Sequence, residues 1–327
     1  MPVIADVPTF VWLATVAGLV AIVVVDLVVI GRRGGAVTMR DATRWVLVYI
    51  GLALAFAGGL ALLAGPTAAG EFVAGYVTEY SLSVDNLFVF MIIMTRFAVP
   101  VLAQDKVLYI GIVLSMLLRA VCIAAGAAAL SRFNWVFYVF GAFLVYTAVR
   151  LLLAGENDED DFTEGRVLRL VRRVLPTTPT YDGTRLITQQ GGRRLATPLV
   201  LVIVAIGIAN VVFALDSIPA IFGLTTDTYI VFTANAFALM GLRQLFFLVG
   251  GLLERIIFLN IGLAVILGFI GAKLVIEALE GSNVDHLGAL PLPHIGILFS
   301  LCFIAGTLLV TTIASLARGG DDGPTAA

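Results

Sequence analysis

The chain has 327 residues, of which 60% are hydrophobic and only 13% are charged, and its formal net charge is −2. Soluble domains carry roughly 25% charged residues, so this composition excludes a water-soluble enzyme, a disordered chain and a basic nucleic-acid-binding protein. The sequence therefore predicts a polytopic membrane protein.

Nine apolar stretches are each long enough to cross the hydrocarbon core of a bilayer, which takes about 20 helical residues. We expect these spans near residues 7–30, 45–64, 72–95, 107–130, 135–154, 199–222, 229–253, 256–279 and 292–314. The first stretch is too long for a signal peptide and has no basic leader, so we interpret it as a retained span. The predicted fold is an all-α membrane protein, with one transmembrane domain over residues 1–318 and a short cytoplasmic tail at 319–327.

The basic residues predict the orientation. Fifteen of the 20 Lys and Arg residues lie on one side of the predicted membrane, whereas Arg132 alone lies in a loop on the other side. Because basic loops stay in the cytoplasm, we expect the N-terminus outside and the C-terminus inside a bacterial inner membrane. The cytoplasmic loop at about 155–196 holds an acidic run at 156–161 and a basic amphipathic pattern at 166–175. That pattern fits a helix lying on the anionic leaflet or one docked on the bundle.

Several ionisable residues lie inside the predicted spans, where each costs at least about 2.5–3.5 kcal/mol and usually lines a pathway or pairs with another charge. They are Asp26, Glu79, Asp85, Arg119, Asp216, Arg243 and Lys273. Asp26, Arg119 and Arg243 fit ion coupling or structural ion pairs, and both readings stay open. Lys273 and Glu277 are four residues apart, which is typical of a stabilising pair on one helix face.

An acidic motif occurs twice. The third span reads EYSLSVDNLFVF from Glu79, and the sixth reads NVVFALDSIPAIF from Asn210. The aligned pairs are Asp85 with Asp216, Glu79 with Asn210, and Asn86 with Ser217, and an arginine follows in the next span of each motif. Three spans separate the motifs, so the two helices run in opposite directions. This pattern predicts an inverted repeat that relates spans 3–5 to spans 6–8.

Neutral oxygen atoms accompany the acids in these spans. They belong to Ser81, Ser83, Asn86, Ser217 and Asn235. Such side chains often serve only as contacts between membrane helices. Carboxylates and neutral oxygens without thiolate or imidazole nevertheless suit a hard cation such as Mn²⁺, Ca²⁺ or Mg²⁺. Pro219 frees backbone carbonyls nearby, which is tolerated where a helix lines a cavity or is buried in protein.

At these residues the sequence resembles the TerC family, which includes the Alx-type manganese exporters. The resemblance lies in GYVTEYSLSVDNLFVF at 75–90, FALDSIPAIFGLTTD at 213–227 and VFTANAFALMGLRQLFFL at 231–248, and it covers most of the chain. It implies an inner-membrane protein linked to tellurium resistance, manganese export and metal homeostasis.

The resemblance also implies a set of site residues. Glu79, Asp85 and Asp216 look like the metal-binding acids of the family, and Asn86 and Asn235 look like their polar companions. Ser217 and Asn210 complete our set of candidate ligands. Many relatives have an aspartate where Asn210 stands, and an amide keeps one oxygen ligand but loses a charge and a protonatable group.

Three hypotheses for the function follow. The first is a transporter that exports a divalent cation, with Mn²⁺ or Ca²⁺ as substrate and no permanently bound cofactor. In it, Asp85 and Asp216 bridge the ion, and Glu79 binds the ion or carries a proton. The second is a membrane scaffold of a tellurite-stress complex, with other membrane or stress-resistance proteins as partners.

The third hypothesis is an intramembrane aspartyl protease, since two aspartates can share a proton for hydrolysis. The sequence lacks the GxGD setting of the presenilin-like proteases, and the inverted repeat has no role in that chemistry. We therefore expect a protein that is not an enzyme and has no nucleic-acid partner. Mn²⁺ and Ca²⁺ both accept oxygen ligands, and an inverted repeat is symmetric with respect to the direction of transport.

Overall fold

A computed structural model describes residues 7–31, 39–133, 135–153, 177–190, 193–249, 258–281, 286–287, 290–291 and 295–318. The helices in these ranges are α1 (Thr9–Gly31), α2 (Met39–Leu63), α3 (Pro66–Arg96), α4 (Val101–Arg132), α5 (Trp135–Leu153), α6 (Pro198–Phe222), α7 (Thr228–Leu239), α8 (Leu242–Val249), α9 (Leu259–Gly281) and α10 (Ile297–Arg318). The acidic run at 156–161, the basic pattern at 166–175 and the tail at 319–327 lie outside the described residues.

Two short antiparallel hairpins lie between helices. One pairs β1 (Ile187–Gln190) with β2 (Arg193–Ala196), and the other pairs β3 (His286–Leu287) with β4 (Leu290–Pro291). The rest of the described chain is dominated by helices. The prediction of a helical architecture is therefore confirmed, with four short strands added to it.

Five of the described helices are long and apolar enough to cross a bilayer, judged by length and composition. They are α2, α4, α5, α6 and α10, and shorter apolar stretches lie in α1, α7 and α9. Helix α3 has 31 residues, a length of about 46 Å, and it carries the first acidic motif. The protein is thus a polytopic membrane protein, whereas the number of nine spans stays a prediction.

Helix α3 lies in the middle of the bundle, where it packs against α2, α6, α7 and α10. Helix α4 packs mainly on α6, and α5 packs on α9. We call the end of the bundle where α3 ends and α4 begins the basic end, because Arg96 and Lys106 lie there. The opposite end, with the turns between α2 and α3 and between α6 and α7, is the far end.

The β1–β2 hairpin is fastened to the basic end by the residues that precede β1. The Lys106 ammonium donates a hydrogen bond to the carbonyl of Thr184 (2.7 Å), and the Tyr181 hydroxyl donates to the carbonyl of Phe97 (2.6 Å). Burial raises the pKa of the Tyr181 phenol, so this group remains a donor at neutral pH. The last part of the long loop therefore covers the turn between α3 and α4.

Glycines allow α5 and α9 to approach each other closely. A Cβ on Gly271 would lie 2.9 Å from the carbonyl oxygen of Gly141, and a Cβ on Gly141 would lie 2.9 Å from the carbonyl oxygen of Gly271. Small residues at such contacts let membrane helices gain van der Waals packing. The contact is reciprocal, since each glycine faces the backbone of the other.

The seventh predicted span is broken in the structure. Helix α7 ends at Leu239, Gly241 adopts a φ of +83°, and α8 begins at Leu242. The predicted span near 229–253 is therefore interrupted as a helix, and its crossing of the membrane stays a prediction. Glycine adopts a positive φ more readily than other residues, and a Cβ at Gly241 would lie 2.8 Å from the ring of Tyr49 in α2.

Buried polar residues tie three elements together at the far end. The Thr225 hydroxyl, in the turn between α6 and α7, donates a 2.5 Å hydrogen bond to Glu71 Oε2 in α3. Asp227 caps α7 by accepting hydrogen bonds from the amides of Tyr229 (2.9 Å) and Ile230 (3.2 Å). Lys273 of α9 interacts electrostatically with Glu71. The pair of Lys273 with Glu277 stays a prediction, because the Glu277 side chain lies outside the described part.

Substitution Thr225→Val is expected to destabilise this cluster. Valine has nearly the same shape but donates no hydrogen bond, so a buried carboxyl oxygen of Glu71 loses its partner, at a cost of about 1–3 kcal/mol. Thermal unfolding of the purified protein in detergent measures the loss. Thr226→Val is the matched control, because Thr226 is the adjacent residue and is exposed. Equal melting temperatures for the two variants would contradict the prediction.

Candidate metal-binding site

Contacts between α3 and α6 determine which residues lie at the same depth near the far end. A Cβ on Gly75 in α3 would lie 3.7 Å from Ile221 Cγ2 in α6. The two helices are antiparallel, so residues one turn further into the bundle lie at about the same depth. These residues are Glu79 in α3 and Ser217 in α6.

A second contact defines a level nearer the basic end. A Cβ on Gly111 in α4 would lie 3.3 Å from Phe90 of α3 and 3.0 Å from Ile206 of α6. One turn from this contact, towards the middle of the bundle, are Asn86 and Asn210. The amide nitrogen of Asn210 donates a hydrogen bond to the carbonyl of Gly111 (3.0 Å), so its oxygen is the atom left for a ligand.

The candidate ligands thus form two levels, about 10 Å apart, because seven residues separate Glu79 from Asn86. Asp216 adjoins Ser217 at the level of Glu79, and Asp85 adjoins Asn86 at the other level. The backbone therefore offsets the two aspartates by about 8 Å along the helix axes. Their side chains and that of Asp26 lie outside the described part. One ion that bridges both aspartates requires side chains that reach towards each other across this offset.

Glu79, Ser83 and Asn86 lie on one face of α3, since their spacing of four and three residues follows the helical repeat. The Glu79 carboxylate forms an ion pair with Arg119 of α4, and the two side chains are 0% and 1% exposed. With the Asn86 amide assigned so that its oxygen faces Arg119, Arg119 Nη2 donates to that oxygen (3.0 Å) and the amide nitrogen donates to the carbonyl of Leu82 (3.1 Å). Arg119 therefore lies beside the candidate ligands and pairs with one of them.

Four more buried side chains have a polar atom without a hydrogen-bond partner among the described residues. They are the hydroxyls of Thr78, Ser83 and Ser217 and the amide nitrogen of Asn235. Buried polar groups are normally satisfied by protein, water or an ion. The three hydroxyl oxygens are thus available to a ligand. Asn235 also lines an apolar cavity of about 230 Å³ between α1, α4 and α7.

Arg243 lies apart from this group. Its guanidinium donates hydrogen bonds to Asp105 Oδ1 from Nη2 (3.0 Å) and Nε (3.3 Å), and its central carbon lies 4.6 Å from the centre of the Tyr109 ring. The Asp105 side chain is 49% exposed, so the pair sits at the edge of the basic end. Sequence reasoning missed Asp105 because it lies two residues before the predicted span at 107–130.

The sequence also missed Glu71, Thr225 and Asp227, although the TTD triplet before a helix is a recognisable N-terminal capping signal. Where side chains are described, His, Cys, Asp and Glu do not gather in a group of three that could hold a metal ion. The described part of the site therefore consists of one carboxylate with its arginine, together with amide and hydroxyl oxygens.

Long apolar helices with buried charges and oxygens between them define a polytopic integral membrane protein. The chain belongs to the integral membrane protein TerC family, whose model matches residues 64–320. This family is the one that the two acidic motifs resemble, so that assignment is confirmed.

Curated relatives cover nearly the whole chain. An uncharacterized membrane protein of Myxococcus xanthus is 42% identical over 94% of this chain and 92% of its own length. One of Mycobacterium tuberculosis is 42% identical over 94% of this chain and 80% of its own length. Alx of Escherichia coli K12, named for a proposed role as a membrane-bound redox modulator, is 40% identical over 88% of each chain. No solved structure matches the chain.

Proposed function

We propose that this protein transports a divalent metal cation, with Mn²⁺ as the expected substrate and export from the cytoplasm as the expected direction. The observation that carries the proposal is the group of buried oxygens on facing helices. Glu79, Thr78 and Ser83 of α3 and Ser217 of α6 supply carboxylate and hydroxyl oxygens that water does not reach. Such oxygens suit hard cations, among them Mn²⁺ and Ca²⁺.

Helix packing supports an inverted repeat of spans 3–5 and 6–8. The repeat implies a two-fold axis that exchanges α3 with α6, α4 with the segment of α7 and α8, and α5 with α9. Such an axis would also exchange the α3–α7 contact with the α4–α6 contact. Both of these contacts are extensive. The same axis makes the α5–α9 contact symmetric, in agreement with the reciprocal approach of Gly141 and Gly271. Inverted repeats are typical of secondary transporters, whose sites lie between the two halves.

The break at Gly241 gives further support. Transporters often bind their substrates beside interrupted helices, and irregular backbone inside a membrane occurs where it lines a cavity or is buried in protein. Asn235 lies on α7 just before this break, and it is 3% exposed. In this proposal Asn235 supplies its amide oxygen from a third helix.

The basic end would face the cytoplasm of the cell, since most basic loop residues lie there. The lipid bilayer of the bacterial inner membrane is then the surroundings of the bundle, and the transported ion is its main partner. The name of Alx agrees with this function, because manganese is itself a redox-active metal. Transport needs no enzyme activity and no permanently bound cofactor.

The test is flux through the purified protein in proteoliposomes. We expect Mn²⁺ to cross faster with the protein than in protein-free vesicles, and Ca²⁺ to compete with it, whereas the softer Cu⁺ should not. Flux with and without a pH gradient reports any coupling to protons. A folded, reconstituted protein that moves no divalent cation under either condition would contradict the proposal and would favour the scaffold hypothesis.

A further inference from the structure

The ion pair between Glu79 and Arg119 is the most deeply buried charge pair described in the molecule. Both side chains are at most 1% exposed, and Arg119 is among the largest fully buried side chains. Removing two charges from water is costly, and apolar residues of similar size often stabilise a fold at least as well. Packing alone therefore gives no reason for an arginine at this place.

Arg119 is also incompletely bound. One end of its guanidinium meets Glu79 and the other donates to Asn86, whereas Nε has no hydrogen-bond partner among the described residues. The guanidinium lies against the face of α3 that carries Glu79, Ser83 and Asn86. It can therefore release Glu79 and still keep one hydrogen bond, the one to Asn86.

Arg243 provides a contrast within the same bundle. Its partner Asp105 is half exposed, so water can stabilise either charge when the other moves away. Water cannot stabilise a charge on Glu79 in this way, because its side chain is 0% exposed. A negative charge on Glu79 must be balanced at all times by a cation within the protein.

We propose that Arg119 is a tethered counter-cation that replaces the metal ion on Glu79 whenever the site is empty. The inference rests on the proposed transport function. When a divalent cation arrives, Glu79 exchanges the guanidinium for the metal, and Arg119 stays on Asn86. When the metal leaves, the guanidinium returns to Glu79. Arg119 acts through Glu79 and is a positioning residue that does not itself bind the metal.

This role predicts which half of a transport cycle depends on Arg119. The metal-loaded half needs no guanidinium on Glu79, because the metal balances the charge. The empty half does need it, since an unbalanced carboxylate in a closed, dry bundle is strongly unfavourable. Net efflux requires both halves, whereas exchange of Mn²⁺ for Mn²⁺ requires only the loaded half.

The experiment compares net Mn²⁺ efflux with exchange of radioactive Mn²⁺ in proteoliposomes that contain equal Mn²⁺ on both sides. For Arg119→Gln we expect the ratio of net efflux to exchange to fall at least tenfold, with the exchange rate within about twofold of the wild type. Arg119→Lys keeps the charge and should restore the ratio. Arg185→Gln is the matched control, since Arg185 lies in the loop at the basic end and its side chain is 76% exposed.

An unchanged ratio in Arg119→Gln would overturn the inference, and so would loss of exchange in a folded, monodisperse variant. If that variant does not fold, Glu79→Gln/Arg119→Gln decides, because it removes both charges. For this double variant we expect a weaker apparent affinity for Mn²⁺ and, at saturating Mn²⁺, the wild-type ratio of net efflux to exchange. A tenfold lower ratio in the double variant would overturn the inference. Failure of the proposed transport function gives a different result, because the wild-type protein would then show neither net Mn²⁺ efflux nor Mn²⁺ exchange.

Discussion

Replacement of Asp85 or Asp216 by asparagine is expected to lower Mn²⁺ flux at least about 100-fold, while the protein still reaches the membrane. Even groups that only hydrogen-bond to the ligands of a metal site are worth about 10–100-fold in metal affinity or activity, and loss of a direct charged ligand should cost no less. Asparagine keeps the size and one oxygen of aspartate, so the change removes mainly the charge. The measurement is Mn²⁺ flux in proteoliposomes together with cellular manganese in an exporter-deficient strain.

The control for these variants is the same change at a surface position. Asp182 lies in the loop at the basic end, where its side chain is 43% exposed and accepts a hydrogen bond from the Thr188 hydroxyl. Asp182→Asn should leave flux near that of the wild type. If Asp85→Asn and Asp216→Asn proteins at normal levels still transport Mn²⁺ like Asp182→Asn, neither aspartate is a ligand and the mechanism is wrong.

Gly271→Ala is expected to separate α5 from α9 and to lower the stability of the bundle by about 1–3 kcal/mol, as in other overpacked cores. The added methyl group would lie 2.9 Å from the carbonyl oxygen of Gly141 and 2.9 Å from Val145 Cγ2. A backbone atom cannot rotate away as a side chain can, so one helix must shift. Thermal unfolding in detergent and the yield of monodisperse protein both measure the effect.

Gly268→Ala separates this steric effect from the ordinary effect of adding a methyl group to a helix. A Cβ at Gly268 would lie 3.6 Å from the Cβ of Ala148, which is normal van der Waals contact. Alanine also favours a helix over glycine by about 1 kcal/mol. We therefore expect Gly268→Ala to melt at or above the wild-type temperature, and a Gly271→Ala variant that melts there too would refute the packing argument.

The sequence was most informative where a residue type conflicts with its surroundings. Glu79 and Arg119 stand out in apolar spans, and the structure joins them because a buried charge needs a partner. Spacing also placed Glu79 and Asn86 on one face of α3. The repeat of the motif in α6 brought Asn210 and Ser217 into the candidate site, and the helix contacts set both of them level with the residues of α3.

Features that depend on distant parts of the chain could not be predicted in this way. Glycine is common in membrane helices, so the sequence around Gly241 gives no sign of a break. The positive φ of Gly241 and its contact with Tyr49 are visible only in the fold. The pairing of Arg243 with Asp105 joins residues that are 138 positions apart. No local spacing rule connects these two residues. The acidic partner of Arg243 could therefore be identified only from the fold.

The depth of the two aspartates shows the same limit. Their matching positions in the two motifs predict one shared ion, bridged from facing helices. However, when a two-fold axis relates two antiparallel helices, matching residues lie at the same depth only at the level of that axis. Asp85 lies nearer the basic end than Asp216 does, so the register of α3 against α6 puts the two aspartates at different depths.

The turn between α7 and α8 has an energetic consequence for motion. A continuous helix that bends must break backbone hydrogen bonds inside a medium with no water to replace them. Here the backbone is already interrupted, and the amide of Met240 closes the last turn of α7 on the carbonyls of Ala236 and Phe237. The last turn of α7 is therefore satisfied although the helix stops inside the bundle. The interruption lies between Asn235 and the Arg243–Asp105 pair, so bending here would cost less than bending a continuous helix.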